Sequence, residues 1–159
     1  MISVELCSGL LQYDKNTIVI VGCAGHTTET LCQKVHEEYP NIETEGLCEA
    51  EVFNRYLIPH YNVQADYLET RSTNSENNIT YLLELLDQNH ISWNRIILCQ
   101  DATMQERMDA GLRKCVPEKT TINYAAYFAE VIKKTRNHVM RKKFMGCGMW
   151  NDNLERIDN

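Results

Sequence analysis

Short apolar runs and longer stripes of apolar residues at helical spacing alternate along the chain. Two runs, NTIVIVG (16–22) and RIILCQ (95–100), are continuous and rich in β-branched residues, which is typical of strands buried on both faces. The shorter runs DYLE (66–69) and TTIN (120–123) predict two further strands. Strands that alternate with helices of about 10–15 residues indicate βαβ units, and therefore a doubly wound, parallel α/β sheet.

Helices are predicted between and around these strands. Ile79, Leu82, Leu83 and Leu86, for example, recur at the spacing of one helix face. Thr27 or Thr28 is expected to start one helix and Pro40 to stop it, and Pro59 is expected to end the next. The predicted helices cover 4–15, 26–40, 48–61, 77–89, 103–114 and 124–143. We predict a single α/β domain over 1–145, followed by a polar C-terminal tail over 146–159, which is expected to be loosely held.

Composition and charge narrow the class of protein. The 159 residues are 43% hydrophobic and 24% charged, as in an ordinary globular domain, and the net charge is −6. An acidic chain argues against a nucleic-acid partner, and the six Lys and Arg within 133–143 are better explained as the solvated end of the last helix than as a patch for nucleic acid or acidic lipid. The chain has neither a signal-peptide pattern nor a run of about 20 apolar residues, so we predict a cytoplasmic protein without a membrane partner.

Seven cysteines are scattered along the chain without any CxxC pair. We interpret them as reduced, mostly buried thiols and not as a disulfide framework. Cys23 and His26 have metal-like spacing, but no second Cys/His pair completes a tetrahedral site, so no metal is expected. Cys23 itself is a candidate either for a thiolate beside a helix N-terminus or for a small buried side chain.

Polar turns follow three of the predicted strands: GCAGHTT (22–28), ETRSTNSENN (69–78) and QDATMQ (100–105). In a parallel α/β sheet, ligands bind at the carboxyl ends of the strands, where helix N-termini also point. We therefore predict that the three turns form the walls of one pocket. Its candidate residues are Gly22, Gly25, His26, Glu69, Asn74, Gln100 and Asp101.

Each turn also has a purely structural interpretation. Thr73 with Glu76, and Thr103 with Glu106, fit capping boxes, and Asp101 fits a plain N-cap. The backbone amides of the two glycines are candidates for contact with an anionic group, although GxxG is a weak motif. His26 is either a general base or ligand donor, or a helix-start residue exposed to water.

Four segments resemble, in order and spacing, the YdcF-like proteins of the family that includes SanA and ElyC. They are IVIVGCAGHTTETL, TEGLCEAEVFNRYL, LETRSTNSENNITYLLELL and RIILCQDATMQERM, and the resemblance covers roughly residues 5–115. It implies a Rossmann-like three-layer α/β sandwich with a mostly parallel sheet, and S-adenosylmethionine is the ligand most often suggested for such proteins. The positions that match the family's polar pattern are Gly22, Gly25, His26, Glu49, Glu69, Ser72, Asn74, Asn78, Gln100, Asp101 and Arg107.

The chain departs from this family in three places. Asn77 stands where the family commonly has a glutamate, and Met104 stands where many relatives have a histidine, so two titratable groups needed for acid–base catalysis are missing. Met1 falls almost directly before the first predicted helix, so the family's first strand is apparently lacking. Because a missing interior strand leaves its neighbours unpaired, we expect either an intimate homodimer or a longer parent protein.

Three functions remain open from the sequence. The first is binding of a small, polar, adenosine-containing ligand, with catalysis, if any, by His26, Glu69 or Asp101. In this hypothesis Glu69 or Asp101 accepts hydrogen bonds from ribose hydroxyls or an amino group, and Asn74 and Gln100 orient the ligand. The second is a non-catalytic or truncated relative that acts as an interaction or regulatory protein. The third, by analogy with SanA, is a transferase or hydrolase acting on phosphorylated sugars in envelope metabolism.

Overall fold

The structure is a computed structural model that describes the backbone of residues 2–7, 16–134, 137–144 and 153–156 and the side chains of residues 16–124. Four helices and seven strands lie within these residues. In chain order they are β1 (Ile2–Cys7), β2 (Thr17–Val21), α1 (Thr28–Glu38), α2 (Glu49–Tyr61), β3 (Tyr67–Glu69), α3 (Ser75–Gln88), β4 (Arg95–Asp101), α4 (Ala102–Cys115), β5 (Thr120–Lys134), β6 (Asn137–Phe144) and β7 (Asn153–Arg156). The α/β fold class is confirmed.

The seven strands form one sheet in the order β3-β2-β1-β4-β5-β6-β7. Parallel pairing is confined to β2 with β3 and β4 with β5, so the predicted mostly parallel sheet is realised only in these two pairs. β1 runs antiparallel to both β2 and β4, which means that β2 and β4 point the same way. β2, β3, β4 and β5 therefore all end at one edge of the sheet, which we call the carboxyl edge.

The position of β1 corrects the prediction for the start of the chain. Residues 4–7 were expected to begin a helix, but they belong to a strand whose Val4 pairs with Val19 on one side and Leu98 on the other. The rest of that predicted helix, 8–15, lies outside the described residues. Because β1 fills the space between β2 and β4, the interior gap is closed within the chain. Because β1 pairs with both neighbours, unpaired strands no longer give a reason for a homodimer, and the dimer itself stays a prediction.

Side chains of β2 alternate between two hydrophobic clusters. Val19 and Val21 pack with α3, β4 and α4 around Leu82, Ile96 and Leu112. Ile20 packs on the other face with Ala50 of α2 and Ala65. Because successive strand residues point to opposite faces, helices cover β2 on both sides. The run NTIVIVG is apolar throughout for this reason, and β2 is the buried strand that its sequence predicts.

The second half of the chain differs most from the prediction. The segment 124–143 was predicted as a long helix, but its described residues form the end of β5 and most of β6, which pair antiparallel from Tyr127↔Phe144 to Lys134↔Asn137. Apart from 135–136, which lie outside the described residues, the basic stretch 133–143 therefore lies in strands and not at a helix end. Residues 153–156 of the predicted tail form β7, which pairs with β6, while 146–152 and 157–159 lie outside the described residues.

The boundaries of α1 follow the predicted signals, whereas the end of α2 does not. α1 has Thr27 as its N-cap, as predicted. Pro59 was expected to end α2, but the helix continues to Tyr61 and closes at Asn62, whose backbone is left-handed (φ 53°) and whose N–H reaches Ile58 O and Leu57 O. A proline in the last turn removes only one backbone donor near the helix end, so it does not stop the helix at once.

Within the described residues, the longest and most apolar helices fall short of what a membrane crossing requires.

Candidate functional site

The first two polar turns are joined directly by backbone hydrogen bonds. Gly22 N–H donates to Glu69 O at 3.1 Å, and the N–H groups of Cys23 and Ala24 both donate to Ser72 O at 3.1 Å. These bonds continue the parallel pairing of β2 with β3, in which Val21 lies opposite Glu69. The adjacency of two parallel strands thus places both turns together at the carboxyl edge, as predicted.

The start of α2 is the third part of this arrangement. Glu49 N–H donates to Cys23 O at 2.9 Å and Ala50 N–H donates to Gly22 O at 2.8 Å. The Glu49 carboxylate accepts a hydrogen bond from Thr28 Oγ1 at 2.6 Å, and Thr28 Oγ1 in turn accepts one from Gly25 N–H at 2.6 Å. We call residues 22–28, 48–49 and 69–74 the turn cluster. It brings together Gly22, Gly25, His26, Glu49, Glu69, Ser72 and Asn74 of the predicted site.

Glu69 is the most deeply buried charged residue of the turn cluster, with 2% of its surface exposed. Its Oε1 accepts hydrogen bonds from Arg71 N–H at 2.7 Å and Ser72 N–H at 3.1 Å, which hold the turn after β3 in shape. Its Oε2 is buried without a hydrogen-bond partner among the described residues, and so is Oγ of Ser72, which is 1% exposed. Buried polar atoms are almost always paired, so these two atoms call for a partner from outside the described residues.

The glycine amides do not form the anion cradle that the sequence suggested. The N–H groups of Gly22 and Gly25 both donate within the turn cluster, to Glu69 O and to Thr28 Oγ1. Because each backbone N–H is one donor, neither amide is free for an anionic ligand in this conformation. One unpaired atom of the cluster is a carboxylate oxygen, which only accepts hydrogen bonds, and the other is a hydroxyl oxygen, which accepts and donates them. The carboxylate oxygen favours a ligand that donates hydrogen bonds.

The third turn lies at the same edge but apart from the other two. β1 separates β4 from β2, which places their ends about 10 Å apart, or two strand spacings. Gln100 is 8% exposed, and its Oε1 accepts from Asp101 N–H at 2.9 Å. Among the described residues, no hydrogen bond links Gln100 or Asp101 to the turn cluster. The structure therefore joins two of the three predicted walls with the start of α2 and leaves the third turn apart.

Helix capping accounts for several of the predicted site residues. Asp101 is the N-cap of α4, where its Oδ1 accepts from Thr103 N–H at 2.9 Å and Met104 N–H at 3.2 Å, and this interpretation is confirmed. Asn74 is the N-cap of α3 and accepts from Asn77 N–H at 2.9 Å. The predicted capping boxes that begin at Thr73 and Thr103 are wrong, because each helix begins at a stronger neighbouring cap.

The remaining predicted residues are exposed or peripheral. His26 is exposed and makes no hydrogen bond or ion pair with the described residues. Asn78 donates its backbone N–H to Asn74 O at 3.0 Å in the first turn of α3, and Arg107 is exposed on α4. The catalytic roles of His26, Glu69 and Asp101 stay predictions. The carboxylates of Glu69 and Asp101 already accept hydrogen bonds from backbone N–H groups, which is a structural use of their oxygens.

Two thiols meet inside the turn cluster, which sequence reasoning missed because they are 25 positions apart. Cys23 Sγ lies 2.7 Å from Cys48 Sγ, and Cys48 Sγ also donates a weak hydrogen bond to Thr70 O at 3.5 Å. The pKa of the Cys48 thiol is raised to about 12, and burial is the largest cause and the hydrogen bond with Cys23 the second. Burial and the negative charge of Glu49 also raise the pKa of Cys32. Among residues 16–124, whose side chains the structure describes, no group of three or more His, Cys, Asp or Glu is placed to hold a metal ion.

A cavity of about 650 Å³ is lined by none of the predicted site residues. It runs along one face of α1 and the segment that follows it, and its walls include Glu29, Cys32, His36 and Thr44. None of the three buried atoms without a partner, which belong to Glu69, Ser72 and Gln105, is on a residue that lines it.

Gln105 was missed by sequence reasoning as well. Its Nε2 donates to Leu98 O at 2.9 Å and to Asn123 Oδ1 at 2.7 Å, which joins α4 to β4 and β5.

Replacing Gly22 by alanine is expected to lower the free energy of unfolding by about 1–2 kcal/mol. Gly22 has φ +145°, a conformation that residues with a Cβ rarely adopt, and an added Cβ would lie 3.5 Å from Glu49 Oε2. Gly25→Ala is the matched control, because nothing lies within 4 Å of its Cβ position and its φ is unstrained. Urea denaturation of both variants would test this, and equal losses of stability in the two would contradict it.

A scan of the chain against protein-family models finds no match. The resemblance to YdcF-like proteins therefore stays a prediction that rests on the segments quoted above.

Proposed function

We propose that the turn cluster binds a small, polar, adenosine-containing ligand that carries hydrogen-bond donors or a positive charge, with S-adenosylmethionine as the leading candidate. The observation that carries the proposal is Oε2 of Glu69, a buried carboxylate oxygen that lacks a donor among the described residues. A buried carboxylate oxygen without a donor is costly, so a hydrogen-bond donor of a ligand would offset the cost of burying Oε2.

The sign of the charges in the turn cluster ranks the candidate ligands. Glu49 and Glu69 supply carboxylates, and the cation of the cluster, Arg71, is paired with Glu84 at 2.8 Å. The backbone amides of Gly22 and Gly25 are already used. A phosphate would meet negative charge here, whereas ribose hydroxyls, an ammonium group or a sulfonium would meet acceptors. The negative charge therefore favours S-adenosylmethionine over phosphorylated sugars as the ligand. It also argues against a role in the transfer of phosphorylated sugars.

Access to the buried oxygens sets a condition on binding. Glu69 Oε2 and Ser72 Oγ are enclosed, whereas residues 24–27 of the first turn are all exposed. An exposed turn with few packed side chains can move at lower cost than the strands beneath it. In the proposal, this turn shifts to admit the ligand, and Asn74 and His26 at its rim contact the polar part.

The sequence resemblance supports the same ligand. S-adenosylmethionine is the molecule most often suggested for YdcF-like proteins, and the matching positions Gly22, Glu49, Glu69 and Ser72 all belong to the turn cluster. The proposal concerns binding and includes no reaction, because Asn77 and Met104 replace two titratable groups of the family pattern.

Thermal denaturation with a panel of ligands tests the proposal. S-adenosylmethionine, adenosine, ATP and a nucleotide sugar would each be added at about 1 mM, a concentration 100 times a Kd of about 10 μM. A ligand at 100 times its Kd adds about 2.7 kcal/mol, which raises the Tm of a chain of this length by about 5–10 °C. We expect this rise with S-adenosylmethionine, a smaller one with adenosine, and none with ATP or the nucleotide sugar.

Two conservative variants sharpen the test. Glu69→Gln replaces the acceptor Oε2 by an amide donor and is expected to abolish the rise in Tm. Asp101→Asn is the matched control, because asparagine caps helices as well as aspartate does and the third turn lies outside the turn cluster. It is expected to keep the full rise. The proposal is wrong if no ligand of the panel raises the Tm, or if Asp101→Asn loses the effect while Glu69→Gln keeps it.

A further inference from the structure

The contact between Cys23 and Cys48 is not needed for the ligand site. Cys23 lies in the turn after β2 and Cys48 is the N-cap of α2, and their sulfur atoms are 2.7 Å apart. Both side chains are half-buried, while Ala24 and Gly25 beside Cys23 are exposed, so a small solute can approach from this side. Oxidation can join two thiols in contact, because the sulfur atoms of a disulfide bond lie about 2 Å apart and only a small approach is needed.

The backbone on both sides of the pair is fixed by hydrogen bonds. Cys23 O accepts from Glu49 N–H at 2.9 Å and Cys23 N–H donates to Ser72 O at 3.1 Å. Cys48 N–H donates to Glu51 Oε2 at 2.8 Å. These bonds tie the residue that follows Cys48 to Cys23 itself, so the two side chains meet without any movement of a strand or helix.

We propose that Cys23 and Cys48 are a redox-active pair, which a hydroperoxide converts into an intramolecular disulfide that fastens the turn after β2 to the start of α2. In the first step the Cys23 thiol releases its proton to water, and its sulfur attacks one oxygen of the hydroperoxide. The O–O bond breaks, the other oxygen leaves as hydroxide or alkoxide and takes up a proton, and Cys23 becomes a sulfenic acid.

The second step closes the pair. Cys48 sulfur attacks the Cys23 sulfur, the S–O bond breaks, hydroxide leaves, and the proton of the Cys48 thiol converts it to water. With hydrogen peroxide, two thiols and one peroxide give one disulfide and two waters, so the two electrons lost by sulfur reduce the O–O bond.

The order of attack follows from the environment of Cys48. Because burial and the hydrogen bond with Cys23 raise the pKa of Cys48 to about 12, this thiol keeps its proton at neutral pH. The thiolate is the nucleophile in such reactions, so Cys48 is assigned the resolving role. Cys23, which lies beside the exposed Ala24 and Gly25, is assigned the first attack.

Oxidation of the purified, reduced chain by hydrogen peroxide tests the proposal. Intact-mass measurement is expected to show a loss of about 2 Da, two hydrogen atoms, and peptide mapping without reductant should join the Cys23 peptide to the Cys48 peptide. A cross-link across 25 positions restricts the unfolded chain, so the Tm should rise by about 5–10 °C and return after dithiothreitol is added. None of these readouts requires a ligand, so they can fail or succeed independently of the proposed function.

Two variants assign the roles. In Cys48→Ser, Cys23 should accumulate as a sulfenic acid that dimedone traps, whereas in Cys23→Ser no sulfenic acid should form on Cys48. The exposed Cys115 gives an internal reference for a thiol that reacts without a partner. The proposal is overturned if Cys115 is oxidised while Cys23 and Cys48 of the unaltered protein both remain open to alkylation, or if either one cross-links to a different cysteine.

Discussion

Replacing Glu69 by alanine is expected to lower the free energy of unfolding by about 2–4 kcal/mol, because two backbone donors lose their acceptor. Oε1 of this carboxylate receives the N–H groups of Arg71 and Ser72, and the Ser72 amide is buried. The same turn supplies Ser72 O to Cys23 and Ala24, so its distortion would also loosen the first turn. One truncated side chain is thus expected to disturb both turns of the cluster.

Glu69→Gln separates this structural role from the proposed binding role. Glutamine keeps an oxygen at the position of Oε1 but without a full charge, so the loss of stability should be only about 1 kcal/mol. Urea denaturation at neutral pH would give the two free energies of unfolding. Equal stability of Glu69→Ala and the unaltered protein would show that Arg71 and Ser72 do not depend on this carboxylate, and the account of the turn would be wrong.

Replacing Leu82 by alanine is expected to lower the free energy of unfolding by about 3–4 kcal/mol. Leu82 lies in α3, is 1% exposed, and belongs to the cluster that joins α3 and α4 to β2 and β4. Alanine is an excellent helix former, so the substitution leaves the helix intact and removes only buried methyl and methylene groups. The loss is large for a domain whose total stability is about 5–15 kcal/mol.

Leu83→Ala is the matched control for this prediction. Leu83 is the next residue of α3 and has the same chemistry, but it is only partly buried at the border of the cluster. Its truncation should cost no more than about half as much, because less apolar surface returns to water. Urea midpoints for the two variants would provide the comparison. A loss for Leu83→Ala that matches or exceeds the loss for Leu82→Ala would contradict the orientation of α3.

Elements with a strong and unambiguous pattern were predictable from sequence. β2 and β4 are continuous apolar runs, which is typical of buried strands. α3 has its apolar residues on one face, at the spacing of a helix. Residues Ile79, Leu82 and Leu86 are buried as that face requires, and Met108 and Leu112 are buried in α4. The residues within each of these elements suffice to predict its secondary structure, because the pattern of apolar positions is contained in that element.

β1 and the β5–β6 pair could not be obtained in this way. Residues 4–7 combine two apolar residues with a polar one and a cysteine, which fits a helix as well as a strand. Their structure is decided by the two strands between which they pair, and that is a property of distant residues. The segment 124–143 likewise mixes alanine and lysine with tyrosine, valine and isoleucine, so the pairing of β5 with β4 and with β6 decides the structure of its described residues.

The candidate site was predictable to the extent that it follows from strand order. Gly22 and Glu69 were placed together because β2 and β3 are parallel neighbours, whereas Gln100 and Asp101 are set apart by β1, a strand that the sequence did not reveal. The use of the glycine amides by Glu69 and Thr28 depends on hydrogen-bond geometry, which spacing does not encode. The contact of Cys23 with Cys48 likewise arises only when α2 begins beside the first turn.

The central claim is that the two turns and the start of α2 act as one binding site. The most direct test is a titration of the ¹⁵N-labelled protein with S-adenosylmethionine, followed through the backbone amide resonances in two-dimensional NMR spectra. We expect the amides of residues 22–28, 48–49 and 69–74 to shift together and to saturate, while those of 100–105 remain in place. Saturating shifts along the cavity beside α1, or no shift at any amide, would contradict the claim.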